Sequence, residues 1–300
     1  MHEDGVERHL EVATMKSRFV GFASAALTIF LVACGAPVGS DSQTLAAGAP
    51  AADEFEPYVN QRFTRALESI FDRGSDSNTL WSIEVRAHGP RGEKLALYSR
   101  SSSTSVKPAS TMKLMTSWTA FQEISSASQI GSDKYNYMRE MMKYSDNNMA
   151  ENVLSWCGGV SATYDMLKSF NISRSANLNI VDGSGLSYNN RLAAHDLVQL
   201  LSVVRSSDKI KAFRSLLPVA GRMGNVNGTV AAKTGTLTTD PTTALAGYAD
   251  TKTGWQVVFA MLGDSVPSVD SGRAAIDDAV FEIVNTLNYL PLAATTVAAQ

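Results

Sequence analysis

Ser110 and Lys113 stand three residues apart in Pro108-Ala109-Ser110-Thr111-Met112-Lys113, where an apolar run begins that continues to Trp118. On a helix that spacing puts both side chains on one face, with Cβ atoms about 5–6 Å apart. A serine hydroxyl is a poor nucleophile until a base takes its proton. A lysine serves as that base only if its pKa falls, which burial and a second cation can bring about. Lys233, in Lys233-Thr234-Gly235-Thr236, is the candidate second cation, and Tyr144-Ser145-Asp146-Asn147 offers a further hydroxyl and an amide. Pro108 suits a first helical turn. Ser110 would then sit where backbone N–H groups and the helix dipole favour developing negative charge.

Each of these short patterns recurs elsewhere in the chain, as Ser206-Ser207-Asp208-Lys209, Ser187-Tyr188-Asn189 and Lys252-Thr253-Gly254. Context separates the sets. Ser206 lies in a polar break and Lys252 in a turn by composition, whereas Lys233 follows the strand-like Thr229-Val230-Ala231-Ala232. Histidine is a poor candidate for the base. Beyond the leader only His88 and His195 remain, one at a hairpin tip where it would be solvated, the other at the start of a helix-like run where it reads as structural. No set of His, Cys or acidic residues has metal-ligand spacing, so no metal or other cofactor is expected. Ser184, in Asp182-Gly183-Ser184-Gly185-Leu186-Ser187, is only loosely like a nucleophile elbow and reads as a glycine-bounded turn shaping the cleft.

Lys16 and Arg18 precede an apolar stretch from Phe19 to Ala33, which reads as a signal peptide over residues 1–33. Met1 to Thr14 lie upstream of a better start at Met15. The leader closes on Leu31-Val32-Ala33-Cys34-Gly35, which resembles a bacterial lipobox and implies cleavage before Cys34 and lipidation of its thiol. Residues 34–54 then form a lipidated, Ala/Gly/Ser/Pro-rich linker. Within it the eighteen residues from Gly35 to Ala52 would span roughly 25 Å as a flexible coil. An exported protein on the periplasmic side of the envelope is expected, anchored to a membrane through Cys34. The other cysteine, Cys157, has no partner for a disulfide and reads as a small buried hydrophobe. Acidic and basic residues nearly balance, with net charge -3 overall. No basic patch with interleaved aromatics suggests nucleic acid.

Residues 55–290 read as one catalytic domain and 291–300 as a disordered tail. Phe55 to Phe71 has helical spacing and stops at Arg73-Gly74. Leu80–Val85 and Lys94–Tyr98 form a hairpin around Gly89-Pro90-Arg91-Gly92. A helical block follows from Ser110 to about Leu217. Three strands come next, at Thr229–Thr236, Thr243–Tyr248 and Trp255–Gly263, and a last helix runs from Ser271 to Tyr289. Strands split by a helical block predict an α/β (α+β) fold with an antiparallel five-stranded sheet, terminal helices on one face and a helical lobe. The site would lie in the cleft between lobe and sheet.

The three patterns in this order, S-x-x-K, S-D-N and K-T-G, mark penicillin-binding proteins and class A β-lactamases. The chain resembles the D-alanyl-D-alanine carboxypeptidases of the low-molecular-mass class C penicillin-binding proteins, a serine peptidase family. Val181-Asp182-Gly183-Ser184-Gly185-Leu186-Ser187 and Ala246-Gly247-Tyr248-Ala249 extend the likeness across roughly Asp53 to Tyr289. The resemblance implies a β-lactamase/DD-peptidase-like fold, with Ser110 as the acylated nucleophile and Lys113 as its base. It implies that Ser145 passes a proton to the leaving amine and that Asn147 holds the substrate amide. Lys233, Thr234, Gly235 and Thr236 would bind the terminal carboxylate of a D-Ala-D-Ala stem peptide, and the N–H groups of Ser110 and Thr236 would form an oxyanion hole. Partners would be peptidoglycan peptides and β-lactams. Two departures stand out. Only 32 residues separate Lys113 from Ser145, where the family inserts extra domains. Tyr188 stands where a basic residue often follows the D-G-S-G-L-S run. Two rivals remain. A serine β-lactamase would need a deacylating carboxylate, for which no E-x-x-L-N stretch is present; Glu151 is expected to face away from Ser110 or to cap a helix. The other rival is a non-catalytic lipoprotein that binds cell-wall peptides.

Overall fold

The strands assemble in the order β2-β1-β5-β4-β3, every neighbouring pair antiparallel. They are β1 (Leu80–His88), β2 (Lys94–Arg100), β3 (Gly228–Leu237), β4 (Thr242–Thr251) and β5 (Gln256–Asp264). This is a computed structural model, and it describes residues 52–123, 132–172, 174–218 and 228–289. The leader, Cys34, the linker up to residue 51 and the tail from residue 290 lie outside the described residues. The two parts of the sheet meet where β1 pairs with β5, Ile83 opposite Met261. That pairing leaves β3, the strand with the K-T-G pattern, on an edge.

Period-two alternation sorts the strands onto two faces. Val257, Phe259 and Met261 join one core with Ile83, Val85, Val230 and Leu245, closed by Phe71 of α1 (Ala52–Arg73) and by Ile276, Val280 and Val284 of α8 (Val269–Tyr289). Val258, Ala260 and Leu262 join the other, with Ala231, Ala244 and Ala246, beneath the helical block. The terminal helices cover one face, as the alternation predicts. Helix α1 takes in residues 52–54, which the sequence reading gives to the linker.

The helical block resolves into α2 (Met112–Phe121), α3 (Asp133–Tyr144), α4 (Asn147–Trp156), α5 (Val160–Ser169), α6 (Ala194–Arg205) and the short α7 (Ile210–Arg214). Helix α2 is its axis, with all ten residues buried. A helix enclosed on every side needs no amphipathic stripe, and that is why the polar Lys113 stands in its first turn without access to water. Trp118 of α2 stacks on Phe121, meets Phe170 at a tilt and Phe213 edge-to-face. Cys157 is half-buried behind α4; burial pushes its thiol up to about 11 and its Sγ–H donates to the Val153 carbonyl, so it is inert. His88 is the last residue of β1 and half-buried, which lowers its pKa, so it is not simply a solvated tip residue. His195 bonds Glu84 through Nδ1 at 2.8 Å and ties α6 to β1. Among the described residues no helix is long and apolar enough to cross a membrane.

Candidate active site

Ser110 sits in a single 3-10 turn, Ala109–Thr111, that leads into α2. Thr111 closes the turn on the Pro108 carbonyl through both its N–H and its hydroxyl. Ala109 takes φ +46°, a left-handed conformation that costs a non-glycine residue roughly 1–2 kcal/mol. Neighbours on both sides hold the strain in place. A Cβ on Gly185 would lie 1.7 Å from the Ala109 carbonyl oxygen, and one on Gly235 would lie 2.9 Å from the Pro108 oxygen and 3.1 Å from the Ser110 nitrogen. Two glycines thus let the 182–187 turn and strand β3 close on the serine from opposite sides.

The Ser145-Asp146-Asn147 pattern is a helix-to-helix corner. Ser145 ends α3 at φ +56°, and the Asp146 carboxylate caps α4 by accepting from the Met149 N–H at 2.8 Å. Asn147, the first residue of α4, is thereby turned inward. Lys113 Nζ reaches three oxygens: Ser110 Oγ at 3.0 Å, Asn147 Oδ1 at 2.8 Å and the Ser184 carbonyl at 2.7 Å. Lys233, from β3, places Nζ 2.8 Å from Ser145 Oγ and 2.8 Å from the Thr234 carbonyl. Ser110, Lys113, Ser145, Asn147 and Lys233 are therefore assembled around two neighbouring amines. Gly235 backs the nucleophile turn, Thr234 is exposed and Thr236 half-buried at the open edge of β3. Two of the second copies stay outside the site: Ser206 caps the C-terminus of α6, and Lys252 follows the end of β4. The third, Ser187-Tyr188-Asn189, begins on the last residue of the 182–187 turn, where the Ser187 N–H donates to Asp182.

Both lysines are buried, at 0 % and 1 % exposure. Burial pushes Lys113 down to about 8, against the opposing pull of Asp182, Glu151 and Asp146. Burial pushes Lys233 down to about 7, assisted by the charge of Lys113. The Lys113 amine can therefore shed its proton near neutral pH within reach of a serine hydroxyl, which is what a general base requires.

Sequence reasoning missed three supports. Glu151 neither faces away nor caps a helix: its carboxylate accepts from the N–H groups of Gly183 and Ser184, at 3.1 and 2.9 Å, and so fixes the turn whose Ser184 carbonyl holds Lys113. Asp182 braces the same turn by accepting from Gly185, Ser187 and Asn190. Lys107, 8 % exposed at its side chain, bonds Asp264 at 2.6 Å and also Asp240, tying the start of the nucleophile turn to the end of β5 and the β3–β4 turn. Its place just ahead of the motif was the one local signal. Among the described residues no group of three or more His, Cys, Asp or Glu could hold a metal ion.

The architecture is similar to that of the TLA-3 extended-spectrum β-lactamase (TM-score 0.60, 14 % identity, 76 % of this chain and 99 % of that one). It is similar to the same degree to PBP-A (TM-score 0.58, 15 % identity, 76 % and 97 %). At such identities the likeness establishes the fold. Two curated relatives are nearer in sequence. Carboxypeptidase DacB of Mycolicibacterium smegmatis is 32 % identical over 166 residues, covering 47 % of this chain and 35 % of its own length. Carboxypeptidase Rv3627c of Mycobacterium tuberculosis is 30 % identical over 166 residues with the same coverage. The chain thus spans about a third of the length of the curated relatives it matches. The model of the D-Ala-D-Ala carboxypeptidase 3 (S13) family matches residues 132–283, taking in Ser145, Asn147 and the Lys233–Thr236 strand, while Ser110 and Lys113 lie ahead of it. With about half of its length inside that match, the chain belongs to the D-Ala-D-Ala carboxypeptidase 3 (S13) family.

Proposed function

We propose that the protein is a serine D-alanyl-D-alanine carboxypeptidase that acts on peptidoglycan stem peptides through an acyl-enzyme on Ser110. The observation that carries this reading is the pairing of Ser110 Oγ with the buried Lys113 amine at 3.0 Å. Neutral Lys113 takes the Ser110 proton as Oγ attacks the carbonyl of the penultimate D-alanine. The oxyanion is held by the N–H groups of Ser110 and Thr236. Collapse breaks the amide C–N bond, and the departing amine takes the proton that Lys113 received, relayed through Ser145, whose hydroxyl lies against Lys233, which leaves Lys113 neutral again. Water, losing a proton to Lys113, then cleaves the Ser110 ester and restores the enzyme. Asn147 holds the substrate amide, and Lys233, Thr234 and Thr236 take the terminal carboxylate. An endopeptidase cut is the same acyl transfer with a longer leaving group. β-Lactams would acylate the same serine. The test is intact-mass analysis and peptide mapping after incubation with penicillin, alongside D-alanine release from a D-Ala-D-Ala peptide. Label on Ser110 and its loss in Lys113→Ala are expected; label on Ser184 or Ser206 overturns the assignment.

The same reading places the protein on the periplasmic side of the envelope, tethered by lipid on Cys34. The lipobox-like Leu31–Cys34 and the linker after it support this. With Gly35 rather than Asp after the cysteine, the outer membrane is the expected address in a cell that has one. Cys34→Ser should release the protein or block its processing; a processed variant that still fractionates with membranes refutes the anchor.

A further inference from the structure

Arg273 is a prominent cation beside the site that the serine–lysine chemistry does not use. It lies on α8, on the opposite face of the sheet from Lys113. The start of α8 is pressed onto β4, since a Cβ on Gly272 would lie 2.4 Å from Thr243 Cγ2. Thr243 is the cross-strand partner of Thr236. The next residue, Arg273, thereby reaches the edge strand, and its Nη2 donates to Thr236 Oγ1 at 3.0 Å.

We propose that Arg273 is a specificity-determining residue that, together with Thr236 and Thr234, receives the free carboxylate at the end of the substrate. Three observations carry this. First, a guanidinium has five N–H donors, and one of them is engaged with Thr236. Among the described residues the carboxylate paired with it is Asp270, at 3.9 Å and 96 % exposed, beyond hydrogen-bond range. The side chain of Arg273 is 41 % exposed, so it is open to an incoming anion. Second, because the Thr236 hydroxyl accepts from Arg273, its own hydrogen is left to point at a ligand oxygen. Third, Arg273 adds beside Lys233 a cation whose charge does not depend on proton exchange. Lys107 is held by Asp240 and Asp264, and burial pushes both Lys113 and Lys233 toward the neutral amine. A carboxylate needs a counter-charge that persists while those lysines exchange protons, and a guanidinium keeps its charge and matches a carboxylate in a two-pronged fork.

This inference rests on the carboxypeptidase reading and is tested apart from it with two thioester acyl donors. One has a leaving group ending in a free carboxylate (–S–CH2–COO⁻); the other is its methyl ester. The wild-type protein should prefer the acid. Arg273→Gln should cut the acid-to-ester ratio of kcat/KM by about tenfold or more, the scale expected for one charged hydrogen-bonded contact. Arg273→Lys, which keeps charge but not the fork, should fall between the two. Thermal melts of the variants guard against misfolding. An equal fall on both donors, or no fall on either, overturns the role of Arg273 while leaving the peptidase reading intact. A wild-type protein that hydrolyses neither donor and takes no penicillin sinks the peptidase reading, and this inference with it.

Discussion

For Ser110 to attack as proposed, Lys113 has to be neutral, and its surroundings decide when that happens. Burial lowers its pKa to about 8 and, with the charge of Lys113 adding to the effect, that of Lys233 to about 7. A lowered lysine pKa means that the base form fills in as pH rises through that range and is lost as pH falls below it. The rate of penicillin acylation should therefore climb between about pH 6 and about pH 9. Glu151 is one of three negative charges that hold the proton on Lys113. Glu151→Gln removes that charge while keeping one acceptor oxygen for the 183–184 turn, so the acid limb should move to lower pH. Stopped-flow acylation over pH checks both, and a flat profile would argue against a lysine base. At this scale the sequence was legible where chemistry is carried by local spacing, as at Ser110 and Lys113. It was opaque where partners are distant in the chain: 32 residues between Glu151 and Gly183, 37 between Arg273 and Thr236, and 157 between Lys107 and Asp264. Only the folded sheet brings such pairs together.

One corner and two glycines align the elements that hold these residues. The Ser145-Asp146 corner uses one left-handed residue and one capping carboxylate to reverse the chain, and so presents Ser145 and Asn147 to the two lysines from a single short segment. Gly185 is the tighter of the two glycines. It sits at φ +83°, with the Ala109 carbonyl where its Cβ would be. Neither obstacle can move without displacing the nucleophile turn, because Ala109 is itself strained and fully buried. Gly185→Ala should destabilise the protein by at least about 2 kcal/mol and depress penicillin acylation together with the melting temperature. An alanine variant with unchanged melt and unchanged acylation would mean the close contact is not kept in solution. Element types were readable where the period is plain, two in β1 and 3.6 in α8, and where a short continuous apolar run follows a turn, as in β5. The breaks within the block from Ser110 to Leu217 were not. They depend on backbone conformation at Ser145, Gly158, Gly159 and Asn171, all at positive φ, and on the isolated bridges Val106–Leu192 and Asn179–Arg191, which have no local pattern.

As a whole the described domain is a sheet between two helical layers, an architecture similar both to β-lactamases and to PBP-A. The fold therefore does not decide the fate of the acyl-enzyme; the disposition of water and carboxylates in the cleft does. Peptide acylation expels D-alanine and opens a path for water. Penicillin's leaving group stays tethered to the acyl chain and obstructs that path. A fast β-lactamase overcomes the obstruction with a carboxylate free to activate water. The three carboxylates that bear electrostatically on Lys113 are each engaged with main-chain N–H groups: Glu151 with Gly183 and Ser184, Asp182 with Gly185 and Ser187, Asp146 with Met149. Each of these carboxylates is already held in place as an acceptor by main-chain N–H groups, so none of the three is placed to serve water. The expected outcome is a stoichiometric burst with a chromogenic cephalosporin, about one equivalent followed by near silence. A long-lived penicillin adduct should be seen by mass, and D-alanine should be released continuously from a D-Ala-D-Ala peptide. Sustained fast cephalosporin turnover without D-alanine release would overturn the carboxypeptidase reading and assign the same serine and lysine to a β-lactamase.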